Sequence, residues 1–365
     1  NTLFVHVTWL PYVQVTQELK TKPSQHSLRE LRSMGIIPEI VVARADQNID
    51  RDLCYKIATF SNIDRDRVIP IVTENNPYRV PLLLEKENIG DYIMQHFSLK
   101  EEKKPDWTDW EKLLARSVHV SDHKIKIALV GKYVGLHDAY ISVTEALQHA
   151  AFELDKEIEI VWIDAEQVTD ENVAIMLGDC HGVLVPGGFG QRAVEGKIVA
   201  AHWARLNNIP YLGLCLGMQV MCIELAREVI NKAATSLELD ESAEFPVVTL
   251  MNDQKNITDK GGTMRLGTYP CQLLAGSKAA LAYQQNGEGS IVSERHRHRF
   301  EFNNMYRQQL EDAGLIISGQ SPDGTLVEIV ELKNHPFMVA SQFHPEFLSR
   351  PQKPHPLFKA FVDAL

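Results

Sequence analysis

Short apolar runs alternate with helical patterns from Lys124 onward. The runs typical of buried strands are KIALVG, IEIVWI, GVLV and IPYLGL, and the helical patterns among them include AYISVTEALQHAAFEL and VEGKIVAAHWARLN. This alternation predicts an α/β domain, with a mostly parallel sheet covered by helices on both faces. Domains of this kind bind their ligands at the carboxyl ends of the strands.

A charged stretch interrupts the chain before this domain. The segment SLKEEKKPD, from Ser98 to Asp106, contains Pro105 and fits a linker better than a packed element. We therefore predict one domain over residues 1–97, a linker and connecting helix over 98–123, and a second domain over 124–365. The opening FVHVTWLP predicts a buried strand, and since the chain starts without Met or a signal peptide, we expect a further region upstream.

Composition narrows the classes of function. Of 365 residues, 44% are hydrophobic and 23% charged, and no apolar run approaches the roughly 18 residues of a membrane span. The formal charge of -11 argues against nucleic acid as a partner, so an anionic ligand needs a local cationic site. Five cysteines without a CxxC pair predict reduced thiols and a cytoplasmic location.

One cysteine stands in a special context. In GLCLGMQ, Cys215 lies between Gly213 and Gly217, directly after an apolar run and directly before a helical pattern. This is the cysteine version of the nucleophile elbow, in which small flanking residues permit a sharp turn, and the following helix N-terminus favours a sulfur anion. A buried packing cysteine is the alternative, and it is the interpretation we give to Cys54, Cys180, Cys222 and Cys271.

Two further segments supply partners for a thiol nucleophile. FHPEF contains His344 as a candidate base and Glu346, which in an extended segment leans to the same side and could orient the imidazole. VPGGFG follows the run GVLV, and backbone N–H groups at Gly187 and Gly188, with that of Leu216, could stabilise an oxyanion. Taken singly, a structural histidine and an ordinary glycine-rich loop remain alternatives.

The order PGGFG, GLCLGMQ, FHPEF resembles the class I glutamine amidotransferases over about residues 124–365. The resemblance implies that Cys215 attacks the side-chain amide of glutamine, ammonia leaves, and water then releases glutamate. By residue match, it also implies a glutamine pocket formed by Gly188, Leu216, Gly217, Met218 and Gln219.

Other segments are similar to one family that carries such a domain, the CTP synthases. They are GGTMRLG, ERHRHRFE, ELKTKPSQHSLRELRSMGIIPE and VGKYVGLHDAYISVTEAL, and together they extend the resemblance over nearly the whole chain. The resemblance implies amination of UTP at the expense of ATP and glutamine. Residues 1–97 would then be the C-terminal part of a P-loop-type α/β synthetase domain.

The same resemblance implies ligand contacts. Arg299 would bind the α-carboxylate of glutamine, Glu238 its α-amino group, and Arg265 would respond to the activator GTP. UTP, and CTP as inhibitor, would be held across a subunit boundary by Lys20, Thr21, Lys22, Pro23, Ser24, Gln25 and Lys56. Taken alone, the lysine-rich run is more typical of a solvated loop. A homo-tetramer is implied, and filament formation stays open.

One expected motif is absent from the sequence. No G-x4-G-K-[ST] pattern occurs, since Gly131-Lys132 and Gly196-Lys197 both lack the required earlier glycine. We therefore expect the sites for ATP and Mg²⁺ upstream of residue 1, with no metal site and no organic cofactor in this chain. VTENNPYRVP departs from the family pattern, so adenine contacts at 72–76 are left open.

The alternatives to the whole interpretation are a stand-alone glutaminase, a γ-glutamyl hydrolase or cysteine peptidase, and a non-catalytic nucleotide-binding paralogue.

Overall fold

The computed structural model describes residues 2–100, 103–118, 124–251 and 264–365. The chain divides into two compact units, Asn1–Ser117 and Val118–Leu365. This division falls within the predicted linker, of which 101–102 and 119–123 lie outside the described residues. The domain boundaries at 97 and 123 therefore stay a prediction. Within the described residues, no helix is long and apolar enough to cross a membrane.

The first unit is built on a small parallel sheet. Its strands lie in the order β1 (Val5–Trp9), β4 (Ile40–Ala45), β5 (Val68–Val72), and a separate hairpin pairs β2 (Tyr12–Val13) with β3 (Glu18–Leu19). Helix α2 (Arg51–Ser61) begins where the Asp50 side chain accepts a hydrogen bond from the Asp52 N–H, and it ends at Asn62 in a left-handed conformation. The elements are β1 (Val5–Trp9), β2 (Tyr12–Val13), β3 (Glu18–Leu19), α1 (Lys22–Ser33), β4 (Ile40–Ala45), α2 (Arg51–Ser61), a 3-10 turn (Arg65–Arg67), β5 (Val68–Val72), a 3-10 turn (Pro77–Arg79), α3 (Val80–Lys86), α4 (Ile89–Phe97) and α5 (Thr108–Ser117).

Among the described residues, the predicted first strand is exposed: β1 pairs with β4, and Val5, Val7 and Trp9 are exposed. The buried strand is β4, which pairs on both sides and alternates its residues between two apolar clusters.

The second unit carries a larger sheet with helices on both sides. Its strands are β6 (Ile125–Gly131), β7 (Ile158–Asp164), β8 (Gly182–Val185), β9 (Tyr211–Leu214), β10 (Thr235–Ser236), β11 (Pro246–Leu250), β12 (Arg265–Leu273), β13 (Ile291–His298), β14 (Phe300–Phe302), β15 (Leu315–Gln320), β16 (Val327–Leu332) and β17 (Met338–Ser341). Its helices are α6 (Ile141–Glu153), α7 (Val173–Leu177), α8 (Val194–Leu206), α9 (Leu216–Val229), α10 (Lys278–Gln285), α11 (Arg307–Asp312) and α12 (Pro356–Asp363), with 3-10 turns at His137–Tyr140, Asn304–Tyr306 and Pro345–Phe347.

The sheet order explains where a site can form. The strands lie in the order β13-β12-β15-β16-β17-β9-β8-β6-β7, and β17, β9, β8, β6 and β7 run parallel to one another. The carboxyl ends of β8, β9 and β17 therefore meet at one edge, and the loops that follow them carry the three predicted motifs. A small sheet, β10-β11-β14, lies apart from this one.

Two apolar clusters cover the two faces of the sheet. On β6, Ala128 and Val130 pack into the cluster that contains α8 and α9, whereas Ile127 and Leu129 pack into the cluster that contains α6 and α12. This is the pattern of a strand that is buried on both faces. The predicted α/β class, with helices on both faces, is confirmed. The antiparallel strands β12, β13, β15 and β16, which widen the sheet, were not predicted.

A buried histidine on α6 generates a prediction about acid stability. His149 is 7% exposed, and its Nδ1 lies 3.0 Å from Ser349 Oγ. Burial, with a contribution from Arg350, lowers the pKa of His149 to about 4. The unfolded chain thus takes up a proton as the pH falls through about 6.5, but the folded chain does not until about 4, so acid lowers the free energy of unfolding.

We expect His149→Gln to reduce the slope of unfolding free energy against pH between 6.5 and 4. Urea titrations at half-unit pH steps measure the slope. The exposed His137→Gln is the matched control and is expected to keep the wild-type slope. Equal slopes in all three proteins would contradict the conclusion that His149 contributes to the loss of stability in acid.

Candidate active site

Cys215 occupies a strained turn between β9 and α9. Its φ of +53° and ψ of -99° lie outside the regions that residues with side chains favour. The glycines on either side are required by close packing. A Cβ on Gly213 would lie 2.7 Å from the Gly217 carbonyl, and one on Gly217 would lie 2.2 Å from the Val185 oxygen. The predicted elbow geometry is present in the structure.

The thiol is tied to β17 and to the segment after it. The Cys215 N–H donates to Ser341 O at 2.7 Å, and the Gln342 Nε2 donates to Cys215 Sγ at 3.5 Å. Gln342 Oε1 in turn accepts from Gln219 Nε2 at 3.3 Å. Sequence reasoning did not single out Gln342, although it directly precedes FHPEF and lies two residues before His344.

His344 and Glu346 form a buried imidazole–carboxylate pair. His344 Nδ1 lies 2.7 Å from Glu346 Oε1, and among the described residues His344 Nε2 has no hydrogen-bond partner. Burial opposes protonation of His344, but the neighbouring Cys215 and the Glu346 carboxylate outweigh it and hold the pKa of His344 well above its ordinary value. The expected extended segment is instead a 3-10 turn at Pro345–Phe347, which brings the two side chains together.

The loop after β8 lies against both groups. A Cβ on Gly187 would be 2.9 Å from His344 Cε1 and 3.6 Å from Cys215 Cβ, so only a glycine permits this approach. In the described part of the chain, the N–H groups of Gly187, Gly188 and Leu216 donate no hydrogen bond to protein. These donors are therefore available to an oxyanion beside Cys215.

A cavity of about 410 Å³ opens at the thiol. The predicted residues that line it are Gly188, Cys215, Gln219, Glu238 and Arg299, and its wall also contains Phe189, Leu237, Glu241, Leu250, Met264, His298 and Phe300. Leu216, Gly217 and Met218 are buried beside the thiol and are not among these lining residues. Glu238 Oε1 accepts from the Gly190 N–H at 2.8 Å, which joins the cavity wall to the glycine loop.

Arg265 takes part in a buried polar network behind this wall. Its guanidinium pairs with Glu328 Oε1 at 2.7 Å and donates to His298 Nε2 at 3.2 Å. Burial would raise the pKa of the Glu328 carboxyl, yet His296 and Arg265 lower it. Burial and His296 lower the pKa of His298 to about 3, so His298 is neutral and its Nδ1–H donates to Phe300 O. The contact of Arg265 with GTP stays a prediction, and residues 261–263 of GGTMRLG lie outside the described residues.

The lysine-rich run of the first unit lies at the start of α1. Lys22, Pro23 and Lys56 are exposed, and Lys20 forms an ion pair with Glu18. Two of the predicted nucleotide contacts, Thr21 and Ser24, also take part in hydrogen bonds within the unit.

Ser24 is fully buried and donates to Trp9 O at 3.1 Å. Thr21 is buried and accepts from Gln25 Nε2 at 3.1 Å. The lysines are thus accessible to an anion, whereas Ser24 holds the helix to β1.

Fold and triad geometry together define a class I glutamine amidotransferase domain. The family model for glutamine amidotransferase class-I matches residues 135–364, and the model for the CTP synthase N-terminus matches residues 1–99. A solved structure, the glutaminase domain of Trypanosoma brucei CTPS with bound acivicin, is 40% identical, with a TM-score of 0.61 over 66% of this chain and 93% of that chain.

The relatives identify the particular family. CTP synthases from Roseiflexus sp. (strain RS-1) and Bacillus subtilis (strain 168) are 52% and 50% identical over 100% of this chain. The chain belongs to the CTP synthase family, as its motifs predicted. It spans 65% and 67% of the length of these two relatives.

The packing of the elbow predicts the effect of adding one methyl group. In a helix interior, Gly→Ala ordinarily stabilises by about 1 kcal/mol. At Gly217 the new Cβ would overlap the Val185 oxygen, so we expect Gly217→Ala to destabilise the protein by about 1–3 kcal/mol. Urea denaturation measures the change. Gly135→Ala, whose Cβ would meet no atom within 4 Å, is the control, and a stable Gly217→Ala protein would contradict the geometry.

Proposed function

We propose that this chain hydrolyses the side-chain amide of glutamine at Cys215. One observation carries the proposal: a strained, cavity-lining thiol beside a buried imidazole–carboxylate pair. The sulfur attacks the amide carbon, and the oxyanion that forms accepts hydrogen bonds from the N–H groups of Gly187, Gly188 and Leu216. His344 delivers its Nε2 proton to the leaving ammonia, while Glu346 keeps the imidazole in place. Water then attacks the thioester, with His344 as base, and glutamate leaves.

Two charged cavity residues suit the α-substituents of glutamine. The Arg299 guanidinium presents a planar fork to the α-carboxylate, and Glu238 accepts the α-ammonium. Both line the cavity that Cys215 shares. Gln219 lines the same cavity, and its side chain is held by Gln342.

In the whole protein, the ammonia released at Cys215 aminates UTP to CTP, in a reaction that consumes ATP with Mg²⁺. The family membership and the lengths of the relatives support this role. UTP, or CTP as inhibitor, binds at the lysines Lys20, Lys22 and Lys56, and GTP activates glutamine hydrolysis through Arg265. The protein acts as a cytoplasmic homo-tetramer.

The Mg²⁺ and ATP sites are assigned to the part of the relatives that this chain does not span. Among the described residues, His202, Glu224 and Glu228 are the group close enough to hold an ion. Arg205 already bonds both carboxylates, and Glu224 also pairs with His202. A divalent cation would have to displace this guanidinium, so the group does not fit a magnesium site.

Glutamate release from glutamine tests the proposed hydrolysis at Cys215. We expect release by the wild type, none above background by Cys215→Ala, and a loss of about 10³- to 10⁴-fold in Glu346→Gln, because the imidazole loses its orienting charge. Each protein is assayed with and without GTP, and with and without UTP. Cys180→Ala, which removes a thiol before β8 at the opposite edge of the sheet, is the control and should keep wild-type release.

Release of glutamate that survives Cys215→Ala, or that is absent from the wild type with both nucleotides present, would contradict the proposal.

The proposed formation of CTP is tested in the complete protein. Cys215→Ala should form CTP from UTP, ATP and free ammonia, and none when glutamine replaces ammonia. A stand-alone glutaminase would form CTP under neither condition.

Substitution of the carboxylate-binding residue should separate binding from chemistry. Arg299→Lys keeps the charge but loses the bidentate fork, so we expect KM for glutamine to rise about tenfold, with a smaller change in kcat. Steady-state glutaminase kinetics measure both constants. Lys232→Arg, at an exposed site, is the control for exchanging the two cations. An unchanged KM would contradict the assignment of Arg299 to the α-carboxylate of glutamine.

A further inference from the structure

Lys197 is a fully buried cation that the mechanism above does not use. Its side chain lies in the first turns of α8 and is 0% exposed. Burying an ammonium ion costs free energy unless its hydrogens find acceptors. Among the described residues, Nζ has one hydrogen-bond acceptor, the Pro186 carbonyl at 3.4 Å. A cation buried with so few acceptors lowers the stability of the fold.

Lys197 contacts the loop that carries the candidate oxyanion donors. The Pro186 carbonyl belongs to the same peptide group as the Gly187 N–H, and a Cβ on Gly188 would lie 3.6 Å from Lys197 Nζ. A hydrogen bond to a peptide oxygen polarises that peptide, because the amide is conjugated, and strengthens the N–H as a donor. The cation therefore lies directly behind the group that faces Cys215.

The loop is held at two further points. Lys132 Nζ donates to Phe189 O, and the Gly190 N–H donates to Glu238 Oε1 at 2.8 Å. These contacts fix the end of the loop, and Lys197 fixes its beginning. The N–H groups of Gly187 and Gly188 lie between these points and donate to no described residue.

We propose that Lys197 is a positioning residue for the oxyanion site, which orients the Pro186–Gly187 peptide and supplies positive charge behind it when the tetrahedral intermediate forms. This role rests on the proposed glutaminase function. It acts on the transition state more than on bound glutamine, because the amide oxygen carries full negative charge only after attack. Lys197 touches the backbone of the loop and not the substrate.

The charge of Lys197 is sensitive to pH near neutrality. Burial, together with the like charge of Lys132, lowers the pKa of Lys197 to about 7, and Cys215 acts in the opposite direction. Lys132 and Cys215 are the titratable groups that act on it from the neighbouring elements. The ammonium form is present below this pH and is lost above it, so the contribution of Lys197 to the rate should fade as the pH rises.

Lys197→Met tests the proposal, because methionine fills a similar volume without charge. We expect kcat and kcat/KM for glutamine to fall about tenfold, with KM unchanged, a smaller loss than removal of an oxyanion donor causes. The ratio of wild-type to variant kcat/KM should be larger at pH 6 than at pH 9. Lys232→Met, at an exposed position, is the control for loss of a lysine charge.

Two measurements separate this role from others. The melting temperature of Lys197→Met at pH 7 should not fall, since the variant removes a buried ammonium; a lower melting temperature with lower activity would mean that Lys197 is only structural. The pH profile of Cys215 alkylation by iodoacetamide should shift by much less than tenfold in rate, since alkylation forms no oxyanion and Cys215 is the smallest of the three influences on the pKa of Lys197. A shift large enough to account for the whole loss of kcat/KM would mean that Lys197 acts on the thiolate, and would overturn the proposal.

Activity of the wild type distinguishes the two proposals. If the wild type hydrolyses glutamine and Lys197→Met does so equally well, the role of Lys197 is wrong and the proposed function stands. If the wild type releases no glutamate with both nucleotides present, the proposed function fails, and the role of Lys197 fails with it.

Discussion

The close packing of β9 and α9 against β8 is the constraint on which the site depends. Gly213 and Gly217 leave no room for a side chain, so the chain must turn sharply between them, and Cys215 takes a conformation that a free residue would avoid. Strain of this kind persists only where surrounding contacts determine it. Here the Cys215 N–H donates to Ser341 O of β17, and the Cys215 oxygen accepts hydrogen bonds from the N–H groups of Met218 and Gln219 in the first turn of α9. The thiol is thus presented at the sheet edge by backbone packing.

The three parts of the candidate site come from three neighbouring parallel strands. Strand β8 leads to the glycine loop, β9 to Cys215 and β17 to His344. Parallel strands end at the same edge of a sheet, so segments far apart in the chain meet without any long excursion. The 3-10 turn after β17 then brings Glu346 to the imidazole.

Buried charge surrounds this edge on both sides. Glu346 and Cys215 favour a protonated His344, and Lys197 lies behind the glycine loop. Arg265, Glu328 and His298 form a network that holds the cavity-lining His298 in one tautomer. Groups of this kind are costly to bury, so their arrangement favours preorganisation of the site over maximal stability.

The local features were determined by the sequence itself. Apolar runs alternating with helical patterns predicted the α/β class, and Gly-x-Cys-x-Gly predicted the elbow, because both depend on neighbouring residues. Tertiary structure decided what depends on distant partners. Strand β4 became the central strand of its sheet because β1 and β5 pair on its two sides, and Arg265 became half-buried because Glu328, on another strand, binds it. Gln342 and Lys197 gained their positions beside the thiol and the glycine loop from the order of the strands, which no short segment encodes.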